Sequence, residues 1–135
     1  APALPVVPGY TYAAAPKAVA DAFAAEPVAP PLSAPTVRAV VRDKVGIGSV
    51  AARTLDPAHV GDRELEGSLV AGLVAGMSGQ GYTVRTRRVS GASVTVALRK
   101  DSTILVWYDR GLVYQLITSE DEATGLGYVT ASLKR

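Results

Sequence analysis

The sequence predicts an α+β fold in which helices pack on an antiparallel sheet. Apolar residues alternate in segments 36–55 and 82–118, an apolar stripe at helical spacing runs through 62–77, and turn residues separate the strand segments. The length of 135 residues is typical of one domain. We therefore expect a four-stranded antiparallel meander and an N-terminal hairpin, with about three helices packed on the sheet.

Prolines divide the N-terminal part of the chain from the rest. Eight of the nine prolines fall within the first 35 residues. Because proline fixes φ and lacks a backbone N–H, these stretches are expected to be extended connectors. Residues 1–15 are predicted to be an Ala/Pro-rich N-terminal segment or linker, mobile over about its first eight residues, and residues 16–135 a single α+β domain.

Three elements are predicted between this segment and the meander. Pro16 and Pro27 bound a short alanine-rich helix. Alternation in 36–55 predicts a hairpin that turns at Asp43-Lys44, with a bulge near Gly48 where the alternation slips. Segment 62–77 predicts a helix, because its large apolar residues are spaced four apart.

The register of the meander depends on the lengths of its loops. Three-residue loops at Val89-Ser90-Gly91, Lys100-Asp101-Ser102 and Asp109-Arg110-Gly111 place most of the apolar residues on one core face, and a glycine ends two of them, as hairpins of this kind prefer. This register places Tyr82, Tyr108 and Tyr114 on the core face. The other face receives Arg85, Arg87, Leu105, Trp107, Val113 and Ile117.

A last helix is predicted to begin at Ser119. The Ser119 and Glu122 pair has the spacing of a capping box, and Glu120 and Asp121 suit the positive end of the helix dipole. An apolar side at helical spacing follows.

Composition and motifs leave few possibilities for catalysis or metal binding. The chain has no cysteine, a single histidine (His59) and a formal net charge of +2. The carboxylates cluster at predicted helix starts, where dipole compensation explains them, and Gly46-Ile47-Gly48-Ser49 lies in a strand segment, whereas phosphate loops open a helix. The sequence therefore predicts no catalytic residues, no cofactor and no metal, although an enzyme stays an open alternative. Arg85, Arg87 and Arg88 do not share one face of a strand, so nucleic-acid binding is not expected.

The segment from Thr103 to Leu116, with its acidic helix start and Val129–Leu133, resembles the closing hairpin and helix of extracytoplasmic domains in membrane-anchored actinobacterial proteins of the anti-sigma-factor and lipoprotein types. The bias toward Ala, Val, Gly and Arg fits such a source. A second resemblance is topological: helix, hairpin, helix and meander is similar to the cone-shaped NTF2-like fold, which also occurs in conjugation-channel proteins. Both resemblances imply a secreted or membrane-tethered bacterial protein.

Two functions are predicted. The first is a non-catalytic extracytoplasmic interaction or assembly domain, which binds a protein partner or itself. Its candidate partner surface is the face with Trp107, unless the N-terminal hairpin and first helix cover that face. The alternative is an NTF2-like domain with a small apolar ligand in a pocket lined by Tyr82, Tyr108 and Tyr114. No apolar run approaches the roughly 20 residues of a membrane span, so an anchor is expected outside this sequence.

Overall fold

The computed structural model describes residues 3–25, 32–55, 58 and 80–134, which form an antiparallel sheet with one helix on each face. The strands are β1 (Tyr10–Ala14), β2 (Thr36–Arg42), β3 (Val45–Thr54), β4 (Thr83–Val89), β5 (Ala92–Arg99), β6 (Ser102–Asp109) and β7 (Leu112–Thr118). The helices are α1 (Lys17–Ala25) and α2 (Glu122–Leu133). The predicted first and last helices are thus confirmed, whereas the helix predicted over 62–77 lies outside the described residues.

The hairpin and the meander belong to one sheet, with the strand order β1-β2-β3-β7-β6-β5-β4. Strand β3 pairs with β7, which places Val50 opposite Leu116 and Ala52 opposite Tyr114. The expected architecture, a four-stranded meander plus an N-terminal hairpin, is therefore wrong, and so is the cone-shaped NTF2-like arrangement, because the described residues form one seven-stranded sheet with two helices. The reason lies in β3 and β7, whose central residues are buried on both faces, as expected of interior strands.

The two faces of the sheet have separate cores. Tyr128 and Val129 of α2 pack against Leu116, while Phe23 of α1 packs near Ile117. Because successive side chains of a strand point to opposite faces, α1 and α2 cover opposite sides of the sheet. We call these sides the α1 face and the α2 face.

Strand β1 lies inside the segment that was predicted to be a linker. Val7 is only 2% exposed, and the Tyr12 hydroxyl donates a hydrogen bond to the Pro5 carbonyl at 2.7 Å. Residues 3–8 are therefore docked on the α2 face, contrary to the expected mobility. The prolines flank β1 without entering it, so the strand keeps all its backbone donors.

The predicted turn and bulge of the β2–β3 hairpin are confirmed. Asp43 and Lys44 form the turn with φ angles of 51° and 66°. Val40 pairs with Gly48 and Val41 with Gly46, so Ile47 is the extra residue of a bulge. A Cβ atom on Gly48 would collide with the Ile117 carbonyl oxygen of β7, which explains a glycine at this position.

The loops of the meander contain two residues each, so the predicted three-residue loops are wrong. Val89 pairs with Ala92, Arg99 with Ser102 and Asp109 with Leu112. Ser90 and Arg110 adopt positive φ together with the glycines that follow them, as type I′ turns require. A change of one residue in loop length moves side chains to the opposite face of a strand, so the predicted core face is wrong as well.

The N-cap of helix α2 lies two residues later than predicted. The cap is Asp121, whose Oδ1 accepts hydrogen bonds from the backbone N–H and the hydroxyl of Thr124 at 2.9 and 2.8 Å. These bonds lower the pKa of the Asp121 carboxyl. Ser119 therefore is not the cap, because the Asp121 carboxylate accepts the hydrogen bond from the first turn of the helix.

Candidate functional site

The structure does not bring the predicted partner surface together. Leu105 and Trp107 lie under α2 and are 0% and 1% exposed, whereas Val113 and Ile117 lie on the α1 face. The Trp107 ring stacks on Tyr114 at 5.3 Å between centroids. Trp107 is thus covered by its own chain, although the cover is α2 and not the N-terminal hairpin with the first helix.

The three tyrosines of the predicted pocket are also separated. Tyr82 and Tyr108 belong to the cluster on the α1 face, and Tyr114 lies on the α2 face. The Tyr82 ring lies under the Arg99 guanidinium at 4.5 Å, and its hydroxyl donates to Ser102 Oγ at 3.0 Å. Because the sheet stands between Tyr114 and the other two rings, the three do not line one cavity.

Arg85 and Arg87 do lie together, on the α2 face of β4, and both bind Glu122 at the start of α2. Arg87 Nε donates to Glu122 Oε1 at 3.0 Å, and Arg85 Nη2 donates to Glu122 Oε2. The arginine side chains are each 44% exposed, and the Glu122 side chain is 17% exposed. We call this group the arginine fork.

The electrostatics of the fork favour an ionised carboxylate. Partial burial raises the pKa of the Glu122 carboxyl, but the hydrogen bonds and positive charges of Arg85 and Arg87 outweigh burial and leave the pKa below the usual glutamate value. The arginine fork therefore links β4, the terminal strand of the sheet, to α2 at neutral pH.

Strand β4 ends the sheet and has no neighbouring strand on its outer side among the described residues. In a two-residue hairpin the residues that flank the turn exchange both backbone hydrogen bonds, so Val89, Arg87, Arg85 and Thr83 direct their backbone groups toward β5. The residues between them direct N–H and C=O groups outward. We call the outward groups of Val84, Thr86 and Arg88 the β4 edge.

At the opposite end of the sheet, β1 presents fewer outward backbone groups than β4. Strand β1 has five residues, and Pro8 and Pro16 lie just beyond its two ends. The Tyr10 N–H is already bound to the Val7 carbonyl at 3.1 Å. Short edge strands with nearby prolines are typical of protected edges, so β4 is the longer and more open of the two.

An open cleft of about 680 Å³ lies where α1, the N-terminal segment and the start of β2 meet. Its lining is mostly apolar, with Asp21 and Arg38 as the charged residues among those described. Asp21 pairs with Lys17 at 2.7 Å, and Arg38 donates to the Val37 carbonyl at 2.8 Å. These contacts give the cleft no catalytic arrangement.

Within the ranges that the structure describes, no group of three or more His, Cys, Asp or Glu side chains comes close enough to hold a metal ion. In the same ranges no helix combines the length and hydropathy needed to cross a bilayer. Comparisons with protein-family models, with curated proteins and with solved structures found no match.

The sequence did contain a signal for the β4 edge. Charged residues are a common feature of edge strands, and β4 carries three arginines in seven residues. The partner role of Glu122 had no such signal, because its spacing suggested a helix cap and its contact with β4 joins residues more than 30 positions apart.

Proposed function

We propose that this chain is a non-catalytic interaction domain that binds an extended segment of a protein partner at the β4 edge. The observation that carries this proposal is that, among the described residues, no strand pairs with the outer side of the seven-residue terminal strand β4. The extracytoplasmic location, and a tether outside these 135 residues, are part of the proposal and rest on the resemblance described above.

Strand addition suits this edge for physical reasons. An added strand forms main-chain hydrogen bonds with the outward groups of Val84, Thr86 and Arg88, and such bonds supply much of the affinity in this mode of recognition. The receiving strand is also held in place, since β5 pairs along its inner side and the arginine fork fixes it to α2. A rigid edge lowers the entropic cost of binding.

Replacing Thr86 with Pro tests the proposal. Thr86 lies opposite Thr95 at a position where no ladder bond is made, so proline removes an outward N–H while the β4–β5 ladder stays intact. We expect eight-residue peptides selected from a random display library to bind the unmodified domain and to lose at least about tenfold in affinity toward the Thr86→Pro variant.

The control is Ala14→Pro, which changes the opposite edge in the same way. Circular dichroism and thermal denaturation confirm that each variant is folded, and Arg88→Pro replaces Thr86→Pro if the latter does not fold. Selected peptides that bind Thr86→Pro and Arg88→Pro as tightly as the unmodified domain, or a selection that yields no binder, would refute binding at the β4 edge.

A further inference from the structure

We infer that the segment bound at the β4 edge is acidic, with Asp or Glu at alternate positions on the side of Arg85 and Arg87. This inference rests on the proposed function and specifies the chemistry of its partner. Three observations support it. They are the positive charge of β4, the N–H groups of Arg85 and Arg87 that Glu122 does not bind, and the like charges that would face each other if two β4 strands paired.

The charge of the strand is not balanced within the described residues. Arg85, Arg87 and Arg88 stand against the single carboxylate of Glu122, and Arg88 has a neutral partner, Ser93 Oγ at 3.1 Å. Arg99, the last residue of β5, and Lys100 in the turn after it add to the positive surroundings of the edge, against Asp101. A partner that brings carboxylates meets charge complementarity along the whole strand.

The arginine fork has room for a second acid. A guanidinium carries five N–H donors, and Glu122 takes one from Arg85 and one from Arg87. With the arginine side chains each 44% exposed, the remaining donors are within reach of a neighbouring strand. A carboxylate on that strand forms charge-assisted hydrogen bonds there, which are stronger than neutral ones.

A second copy of the chain is a poor occupant of the same edge. Antiparallel pairing of two β4 strands about Thr86 places Arg85 of each copy directly opposite Arg87 of the other. A shift by one ladder step places Arg85 opposite Arg85, or Arg87 opposite Arg87. Like charges in directly opposed positions are destabilising, so the edge disfavours self-pairing and favours a partner of opposite charge.

The α1 side of the edge is uncharged at Val84 and Thr86 and carries one arginine, Arg88. Val84 packs against the cluster that contains Tyr82 and Ala97, and Thr86 is neutral. Because side chains alternate along a strand, a bound segment presents one set of residues to the arginine fork and the other set to Val84 and Thr86. The partner sequence is therefore expected to alternate acidic residues with β-branched ones.

Three synthetic peptides with blocked ends test the inference: Glu-Val-Glu-Thr-Glu-Val-Glu, the same peptide with Gln for Glu, and the same peptide with Lys for Glu. Isothermal titration at low salt is expected to give the acidic peptide an affinity at least about tenfold above that of the Gln peptide, with no binding of the Lys peptide. Arg87→Gln is expected to reduce this preference, whereas Arg42→Gln, the same change on β2, leaves it unchanged.

The outcomes separate the inference from the proposed function. Equal affinity for the acidic and Gln peptides, both lost in Thr86→Pro, overturns the acidic partner but leaves strand addition standing. If none of the three peptides binds, the inference is wrong. Strand addition is then tested only by the peptides selected from the display library. If the outward amide of Thr86 becomes protected from hydrogen exchange as the concentration of the domain alone rises, the occupant is a second copy and the inference is wrong.

Discussion

Two glycines of α2 differ in their surroundings although only one residue separates them. A Cβ atom on Gly125 would lie 2.6 Å from Leu105 Cδ1, whereas a Cβ atom on Gly127 would come no closer than 3.6 Å to the Tyr10 hydroxyl. Leu105 is 0% exposed and has little space to move. Gly125 therefore sets how closely α2 approaches β6, and Gly127 does not.

Alanine substitutions at these two positions are expected to have opposite effects on the free energy of unfolding. Gly127→Ala should raise it by about 1 kcal/mol, because alanine is the better helix former. Gly125→Ala should lower it by about 1 kcal/mol, since overpacking a core costs about 1–3 kcal/mol and outweighs the same gain in propensity. Urea denaturation measures both changes in the free energy of unfolding. Equal stabilisation by the two variants would show that Leu105 moves away from the new Cβ atom without loss of stability.

At the scale of elements, the arginine fork makes the attachment of β4 to α2 dependent on pH. The pKa of Glu122 is lower in the folded chain than in the unfolded one, so its contribution to stability is complete above the unfolded value, about 4.3, and is lost as the pH falls through the folded value. Glu122→Gln lacks this titration.

The stability difference between the unmodified chain and Glu122→Gln is therefore expected to be constant near neutral pH and to shrink below about pH 4.3. Urea denaturation over a series of pH values measures it. In a background with both Arg85→Gln and Arg87→Gln, the shrinkage at low pH should disappear, because only burial, which raises the pKa of Glu122, then remains. A difference that stays constant down to pH 2 would show that the fork does not stabilise the fold.

The sequence predicted most elements but not their register. Turn residues and alternation located the strands of the hairpin and the meander, and Gly48 indicated the bulge. The loop lengths could not be derived, because β6 and β7 are apolar on both faces and either register places apolar residues together. Ser90 and Arg110 also adopt positive φ in turns where Asn or Asp is the usual residue, so the two-residue loops had little signal.

The residues predicted for the partner surface and for the pocket lie on different faces of the sheet for the same reason. A loop one residue too long places Trp107 on the same face as Val113, and Tyr114 on the same face as Tyr108. The position of Arg85 and Arg87 on a common face of β4 did not depend on the loops, because residues two apart on a strand always share a face. These two residues are accordingly the ones that remain in the proposed site.

At the scale of the whole molecule, the N-terminal segment completes the core of the α2 face. Leu4 and Val7 pack into the cluster that contains Trp107, and the Tyr12 hydroxyl lies 2.6 Å from the Tyr128 hydroxyl of α2. The segment is therefore part of the folded domain and contributes to its stability. The sequence had predicted a linker that makes no such contribution.

Two neighbouring valines provide a matched test of this role. Val7 is 2% exposed and Val6 is 88% exposed. Val7→Ala is expected to lower the free energy of unfolding by about 2 kcal/mol through lost burial and a residual cavity. Val6→Ala should change it by less than about 0.5 kcal/mol. Thermal or urea denaturation measures both changes. Equal losses of stability in Val7→Ala and Val6→Ala would show that the segment is not docked in solution.

The pairing of β3 with β7 also determines how the chain reaches its native state. Ser49 and Ile117 are direct partners across this pair and lie 68 positions apart in sequence, whereas the partners within the meander are joined by turns of two residues. Closing the longer loop requires a larger loss of chain entropy before any contact is gained. The hairpin and the meander each form from local contacts, so we expect the docking of β3 against β7 to limit the rate at which the domain folds.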